Sequence, residues 1–239
     1  MQKILGYMRK AIQEYSMLSD GDSVAVGVSG GKDSLVTLAG LKLLQRFIGI
    51  DYSVHALSID PMFGGNPTDY SLIEKFCAEY DVPFTVIPTH IAEVVFDIRK
   101  EPNPCSLCSR MRRGALLSSS KELGCSKLAL GHNKDDAVET FFMNLFNEGR
   151  IDCFSPVSYM AHHDITVIRP LIRAPERDVA RTAGKLQFPV LKSACPEDGH
   201  TSREDMRKFI IEKEREDRSF SDKIIGALER AEISGWGRK

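Results

Sequence analysis

Short apolar runs alternate with longer segments of helical periodicity along the first ninety residues of the chain. Val24–Val28, Tyr52–Ile59 and Phe84–Ile87 are apolar runs with β-branched residues, which predict buried strands. Between them, segments 32–44 and 70–80 space their apolar residues as helices do. The order strand–helix–strand–helix–strand predicts an α/β fold with a parallel sheet covered by helices on both faces.

The same patterns predict further elements on either side of this region. An amphipathic helix is predicted over Met1–Ser16, before the first strand. The remaining predicted elements are short helix Ile91–Ile98, helix Arg110–Leu123, strand Lys127–Leu130, helix Asp135–Phe146, strand Thr166–Ile168, helix Glu176–Leu186, extended segment Phe188–Leu191 and one or two charged helices in Glu204–Arg230.

A glycine turn joins the first predicted strand to the first long helix. Glycines at such a junction let backbone N–H groups approach a ligand, and the helix dipole favours negative charge there. We assign Ser29, Gly30, Gly31 and Ser34 to binding phosphates and Lys32 to neutralising their charge. Asp33 either caps the helix or helps to hold Mg²⁺. The loop is not a Walker A motif, which would require glycine at Val26 and a hydroxyl residue directly after the lysine.

Polar residues follow several of the other predicted strands. Asp60, Gly131, His132 and Arg169 each stand at or just after a strand end, and open parallel sheets bind ligands at that edge. We therefore expect Asp60, Gly131 and His132 to join the glycine loop in binding a nucleotide.

Two adjacent acids, Asp135 and Asp136, open an apolar helix. Acids in a first helical turn are favourable to the helix dipole, so capping explains at least one of them. A pair of carboxylates facing a triphosphate is also a common way to hold Mg²⁺. We expect one acid to bind Mg²⁺ and the other to have a structural role, and Asp135 is the catalytic candidate.

The chain contains six cysteines, and three of them are candidate metal ligands. Cys105 and Cys108 form a C-x-x-C pair after a proline break and before a basic helix, and Cys195 is the best third partner. This set is compatible with half a zinc site, a redox pair, an iron–sulfur site or a structural three-cysteine zinc site. Cys77 and Cys125 lie in apolar patterns and are predicted to be core residues.

Composition places the chain among globular proteins and limits its partners. It has 42% hydrophobic and 27% charged residues, a charged N-terminus unlike a signal peptide, and no apolar run near the roughly 20 residues of a membrane helix. We expect a cytoplasmic protein without a membrane partner. The net charge of −1 means that a nucleic acid would have to meet a local patch, for which Arg99, Lys100, Arg110, Arg112 and Arg113 are candidates.

Taken together, these motifs resemble one family. SGGKDS resembles the PP-loop of ATP pyrophosphatases, which cleave ATP between its α and β phosphates. With PCSLCSRMRRGAL, ELGCSKLALGHNKDDAVETFFMNLF and VIRPLI, the chain resembles the tRNA 2-thiocytidine synthetase group of PP-loop proteins from near residue 5 to about residue 200. The expected division is an N-terminal helix at 1–20, a PP-loop catalytic domain at 21–200 and a C-terminal helical extension at 201–239.

The resemblance implies a fold, an activity and cofactors. The fold would be the adenine-nucleotide α-hydrolase sheet, usually in a homodimer. The activity would be ATP-dependent sulfur insertion into a tRNA base, using ATP, Mg²⁺, a 4Fe-4S cluster on Cys105, Cys108 and Cys195, and sulfur from sulfide or a cysteine desulfurase. Two alternatives stay open: thiolation of another acceptor, such as a tRNA uridine or a small molecule, and a zinc-stapled nucleotide-binding protein without turnover.

Overall fold

A six-stranded sheet organises the molecule. The computed structural model describes residues 1–100, 104–192, 194–197 and 202–237. The strands are β1 Asp22–Gly27, β2 Tyr52–Asp60, β3 Phe84–Pro88, β4 Lys127–Ala129, β5 Val157–Met160 and β6 Ile165–Ile168. Their order is β3-β2-β1-β4-β6-β5, and every neighbouring pair is parallel except β5 and β6. The predicted parallel α/β sheet is therefore confirmed.

Helices surround this sheet. They are α1 Gln2–Glu14, α2 Lys32–Leu44, α3 Ser71–Glu79, α4 Pro104–Glu122, α5 Lys134–Glu148, α6 Glu176–Lys185, α7 Ser202–Glu216 and α8 Phe220–Arg230. A π-helical turn spans Glu93–Ile98, and short 3₁₀ turns span Phe63–Gly65 and Ile233–Gly235. In the part of the chain that the structure describes, no helix is both long and apolar enough to cross a membrane.

The order of the strands fixes where a ligand can bind. β1 lies between β2 and β4. The chain therefore first adds strands β2 and β3 on one side of β1 and later adds strand β4 on the other side. This reversal opens a crevice at the carboxyl end of β1, where open α/β sheets bind their ligands. The glycine loop begins in that crevice.

Two expectations about local structure are wrong. The C-x-x-C pair does not precede a helix but lies in the first turns of α4, because the helix begins at Pro104. Proline suits the first helical position, where its missing N–H is not needed. Strand β5 is absent from the sequence prediction; it pairs with β6 in a short antiparallel hairpin at the sheet edge.

The C-terminal segment packs into the main core. Trp236 is fully buried in the same apolar cluster as residues of α1 and α2. Its indole Nε1–H donates a hydrogen bond of 2.9 Å to the carbonyl of Phe154, and its ring meets Tyr15 edge-on at 6.2 Å. The predicted division into three segments stays a prediction, although side chains from all three contribute to this cluster.

We expect Trp236→Ala to lower the free energy of unfolding by about 3–5 kcal/mol, because it leaves a large cavity and an unpaired carbonyl. Urea denaturation followed by circular dichroism measures the change. Trp236→Phe, which keeps most of the buried ring, is the control and should lose less. A loss below about 1 kcal/mol in Trp236→Ala would contradict the anchoring role.

Candidate nucleotide and cysteine site

The glycine loop has the geometry of an anion site. Gly30 adopts a φ of +81°, which favours glycine, and Gly31 is the N-cap residue of α2. The Ser34 hydroxyl donates to the Gly31 carbonyl at 2.8 Å, and the Gly31 N–H donates to Ser29 Oγ at 3.3 Å. These contacts fix the loop at a helix N-terminus, where the dipole favours phosphate.

Neighbouring backbone holds the loop from two sides. The Leu191 N–H donates to the Gly30 carbonyl at 3.0 Å, so the segment after α6 lies against the loop. On the other side, a Cβ on Gly131 would come within 2.9 Å of the Asp33 carbonyl carbon. Gly131 is therefore explained by the close approach of the β4 end to the start of α2.

Lys32 is held by two carboxylates. Its Nζ lies 2.9 Å from Asp33 Oδ2 and 3.0 Å from Glu176 Oε1. Burial opposes the charge, but Asp33 and Glu176 outweigh it and raise the pKa of Lys32 above its ordinary value. The ammonium group therefore stays protonated at neutral pH.

The second motif, GHNKDD, is connected to the loop through Asn133. Its side-chain amide donates to Asp33 Oδ1 at 3.1 Å, while its Oδ1 accepts from the backbone N–H groups of Asp135 and Asp136. Asp136 Oδ2 accepts in return from the Asn133 N–H at 2.9 Å, which completes a capping box. One residue thus caps α5 and orients the acid of the glycine loop.

Asp135 caps a different helix. Its Oδ2 accepts the Glu176 backbone N–H at 2.7 Å, at the N-terminus of α6. Burial raises the pKa of Asp135, although this N–H and Lys134 lower it. Both acids therefore have structural partners, and the assignment of Asp135 and Asp136 to Mg²⁺ stays a prediction.

Asp60 is buried and organises the loop after β2. Its carboxylate accepts from the backbone N–H groups of Met62 (3.0 Å) and Thr68 (2.8 Å) and from Thr68 Oγ1 (3.0 Å). Its predicted direct contact with nucleotide stays a prediction. What the structure records is that Asp60 shapes the loop 61–68.

Two adjacent cavities lie over the sheet edge. The loop cavity, about 220 Å³, is lined by Ser29, Asp33 and Ser34 on one side and by Gly131 and His132 on the other. The junction cavity, about 270 Å³, extends from Ser29 and Gly31 past Thr68 and Tyr70 to Lys192 and Ala194. Arg112 of α4 lines both cavities.

The three candidate cysteines come from segments that meet beside the junction cavity. Cys105 and Cys108 stand on the first turns of α4, and Cys195 directly follows Ala194 of the cavity wall. None of them forms a disulfide. Burial raises the pKa of the Cys105 and Cys108 thiols, and the charge of Cys195 raises both further. The three thiols are therefore electrostatic neighbours.

The described residues contain no group of side chains arranged around a single metal ion. Within 1–100, 104–192, 194–197 and 202–237, no three His, Cys, Asp or Glu side chains are arranged closely enough to hold a metal ion. The cysteine assignment to a cluster stays a prediction. Cys77 and Cys125 are buried, as expected for core residues, and so is Cys153.

The basic residues near the cysteines differ in their surroundings. Arg99, Lys100, Arg110 and Arg113 are exposed, whereas Arg112 is partly buried and lines both cavities. Burial raises the pKa of the Cys108 thiol, and the charge of Arg112, one turn away, offsets part of that rise. Arg169, at the end of β6, is buried on the Phe154 ring at 4.8 Å; burial and then the nearby Arg113 lower its pKa to about 10, although the neighbouring Cys153 raises it.

Sequence reasoning missed three residues at this site. Glu176 of α6 contacts Lys32, Arg207 of α7 pairs with Glu176, and the Leu191 N–H donates to the loop carbonyl of Gly30. Glu176 opens a predicted helix and Arg207 lies in a charged one, so each was readable as an ordinary solvated charge. Only the tertiary structure brings them to the loop.

Comparisons with known proteins agree with this geometry. The family model of the PP-loop domain matches residues 5–214. A protein named tRNA-cytidine(32) 2-sulfurtransferase from Syntrophotalea carbinolica is 36% identical over 230 residues, which cover 95% of this chain and 88% of that protein. This chain belongs to the PP-loop family, within its tRNA 2-thiocytidine synthetase group. A relative of the same name from Ralstonia nicotianae is 34% identical and covers 92% of this chain and 70% of its own length.

Solved structures support the membership of this PP-loop protein. A U34-tRNA thiolase from Methanococcus maripaludis, solved with its 4Fe-4S cluster, superposes with a TM-score of 0.79 at 27% identity, covering 96% of this chain and 78% of its own. An NH3-dependent NAD synthetase from Campylobacter jejuni, at 19% identity and a TM-score of 0.50, shares the fold alone.

Proposed function

We propose that this PP-loop protein is a cytoplasmic enzyme that uses ATP to replace the C2 oxygen of a cytidine in tRNA with sulfur. The observation that carries the proposal is the junction cavity, which is lined both by Ser29 and Gly31 of the glycine loop and by Ala194, the residue before Cys195. A base activated at the loop would therefore stand close to the cysteines. The names of the curated relatives support tRNA as the substrate.

The glycine loop would activate the base. The C2 carbonyl oxygen would attack the α phosphorus of ATP, the bond to the β phosphate would break, and pyrophosphate would leave. Ser29, Gly31 and Ser34 line the site where phosphate oxygens would lie, and Lys32 would offset the charge that grows on the leaving pyrophosphate. Asp135 and Asp136 remain the candidates to hold Mg²⁺ on the phosphates.

The cysteines would bind the cluster from which sulfur is transferred to the base. Three cysteine thiols outside any disulfide, of which Cys195 raises the pKa of the other two, are a donor set that suits a 4Fe-4S cluster, with Cys105, Cys108 and Cys195 as ligands. When bound, the cluster would present sulfide to the activated base. Sulfur would form a bond to C2, the C2–O bond would break, and the oxygen would leave with AMP, so no net oxidation occurs. The sulfur would come from sulfide or from a cysteine desulfurase.

The exposed basic residues would guide the RNA. Arg110 and Arg113 are exposed on α4, the helix that carries Cys105 and Cys108, and Arg99 and Lys100 are exposed in the segment before it. Contacts to phosphates would steer a polyanion to this face although the net charge of the chain is −1. We also propose a homodimer, as the resemblance implies.

Anaerobic reconstitution tests the proposal. The purified protein is incubated with ATP, Mg²⁺, sulfide and unmodified tRNA, and the tRNA is digested for mass spectrometry of its nucleosides. We expect 2-thiocytidine, with AMP and pyrophosphate formed in step with it. A tRNA carrying uridine in place of cytidine 32 is the matched control and should gain no sulfur.

Other outcomes would overturn the proposal. Appearance of 2-thiouridine without 2-thiocytidine would favour a uridine acceptor, as in the Methanococcus maripaludis neighbour. Colourless protein containing one zinc, with no AMP formed in the presence of any RNA, would favour a zinc-stapled nucleotide-binding protein. Brown protein with broad absorbance would fit iron–sulfur ligation.

A further inference from the structure

A carboxylate from outside the sequence motifs lies between the loop lysine and the C-terminal helices. Glu176 Oε1 contacts Lys32 Nζ at 3.0 Å, while Glu176 Oε2 pairs with the guanidinium of Arg207 on α7. Its backbone N–H is fixed by Asp135. One acid thus joins the glycine loop, the GHNKDD motif and α7.

The surroundings keep Glu176 charged. Its side chain is 20% exposed, compared with 30% for Lys32 and 50% for Arg207. Burial favours the neutral acid, but Lys32 and Arg207 outweigh it and lower the pKa of Glu176. A charged acid therefore competes with any incoming phosphate for the ammonium group of Lys32.

The position of α7 allows Arg207 to influence the competition between Glu176 and phosphate for Lys32. The helix packs on α5 through Phe209, whose ring lies edge-on to Phe142 at 5.4 Å. On this helix the Arg207 guanidinium pairs with Glu176. Burial lowers the pKa of Arg207, but Glu176, Glu139 and Asp135 outweigh it and raise that pKa. Removal of Arg207 would leave Glu176 with Lys32 as its one cationic partner among the described residues.

We propose that Glu176 competes with the phosphates of the nucleotide for Lys32, and that Arg207 sets how tightly Glu176 retains that lysine. Nucleotide would draw Lys32 away from Glu176, and Arg207 would then take over the carboxylate. The C-terminal helices would by this route be coupled to ATP affinity, and by reciprocity ATP would stabilise the contact of α7. The inference rests on ATP binding at the loop and does not depend on which acceptor is thiolated.

Binding of α,β-methylene-ATP tests the proposal without tRNA or sulfur, because this analogue cannot be cleaved between its α and β phosphates. Glu176→Gln removes the competitor for Lys32 and should bind the analogue about three- to tenfold more tightly. Arg207→Gln strengthens the hold of Glu176 on Lys32 and should bind it more weakly by a similar factor. In the double variant, the Arg207→Gln change should have no effect beyond that of Glu176→Gln alone.

Lys208→Gln provides the matched control. Lys208 stands beside Arg207 on α7, is exposed, and pairs with Asp205 on its own helix at 3.7 Å. The Lys208→Gln variant measures how much the loss of any positive charge on α7 weakens nucleotide binding through long-range electrostatics. Calorimetric titration gives the dissociation constants, and circular dichroism melting shows that each variant is folded.

Two results would overturn the proposal. If Arg207→Gln weakens binding equally with and without Glu176→Gln, Arg207 acts on the nucleotide directly. If neither single variant differs from Lys208→Gln, the Glu176 bridge has no part in nucleotide binding. A protein that binds the analogue as expected but makes no 2-thiocytidine would contradict the proposed function and leave this coupling intact.

Discussion

Lys32→Ala is expected to reduce ATP cleavage to AMP and pyrophosphate by about 10²–10³-fold, the usual effect of removing one preorganised charge at a transition state. Negative charge grows on the departing pyrophosphate, and Lys32 is the full positive charge at the start of α2, where the loop binds phosphate. Because its pKa is raised, the lysine contributes this charge throughout the neutral pH range. Anaerobic assays of AMP formation with saturating ATP and tRNA measure the loss.

Lys42→Ala is the control for this experiment. Lys42 lies in the last turn of the same helix and contacts the carbonyl of Asp81 at 3.0 Å, away from the loop. Its loss should leave AMP formation within about twofold of the parent, since surface pairs contribute little. A fall in Lys32→Ala no larger than the fall in Lys42→Ala would contradict the role of Lys32.

The loop and the parallel arrangement of the sheet could be predicted because their signals are local. A β-branched run, a glycine turn and a helical period follow one another within Val24–Leu44, and each specifies its own conformation. Repetition of this unit implies parallel strands, and parallel strands imply a binding edge. The binding edge of the sheet could therefore be predicted without knowledge of distant contacts, whereas the crevice beside β1 follows from the strand order that the structure shows.

Features that depend on one side chain meeting another from far along the chain could not be predicted. Glu176 and Arg207 belong to ordinary charged helical patterns, and no spacing rule links them to Lys32. Strand β5 is short and partly exposed, so its sequence contains no alternation of apolar and polar residues long enough to predict a strand that pairs with β6. In both cases the tertiary structure supplies what the local pattern lacks.

The GHNKDD motif shows a third situation, in which the residues were recognised but their contacts were not. Helix capping and metal binding both favour acids at a helix N-terminus. The sequence alone therefore does not decide which of these two roles Asp135 and Asp136 have. The structure records Asp136 capping its own helix and Asp135 capping α6. A carboxylate that accepts one backbone N–H retains lone pairs for a cation, so capping does not decide the magnesium prediction.

Cys105→Ser is expected to abolish formation of 2-thiocytidine while leaving ATP affinity within about threefold of the parent. Cys105 stands in the first turn of α4 and feels the charge of Cys195, whereas the residues assigned to the phosphates belong to the loop after β1. Serine removes a thiolate ligand that iron–sulfur clusters require and changes little else at this partly exposed position. Nucleoside mass spectrometry, iron and sulfide analysis, and titration with α,β-methylene-ATP report the three properties separately.

Cys125→Ser is the matched control, because it makes the same chemical change at a cysteine away from the proposed cluster. Cys125 is buried in a small apolar group beside β4, so its variant should melt at a lower temperature but keep iron, sulfide and thiolation. Equal loss of ATP binding and thiolation in Cys105→Ser would mean that the cysteine supports the nucleotide site itself. Retention of thiolation would remove Cys105 from the ligand set, and with it the proposed division between a loop that activates the base and cysteines that deliver sulfur.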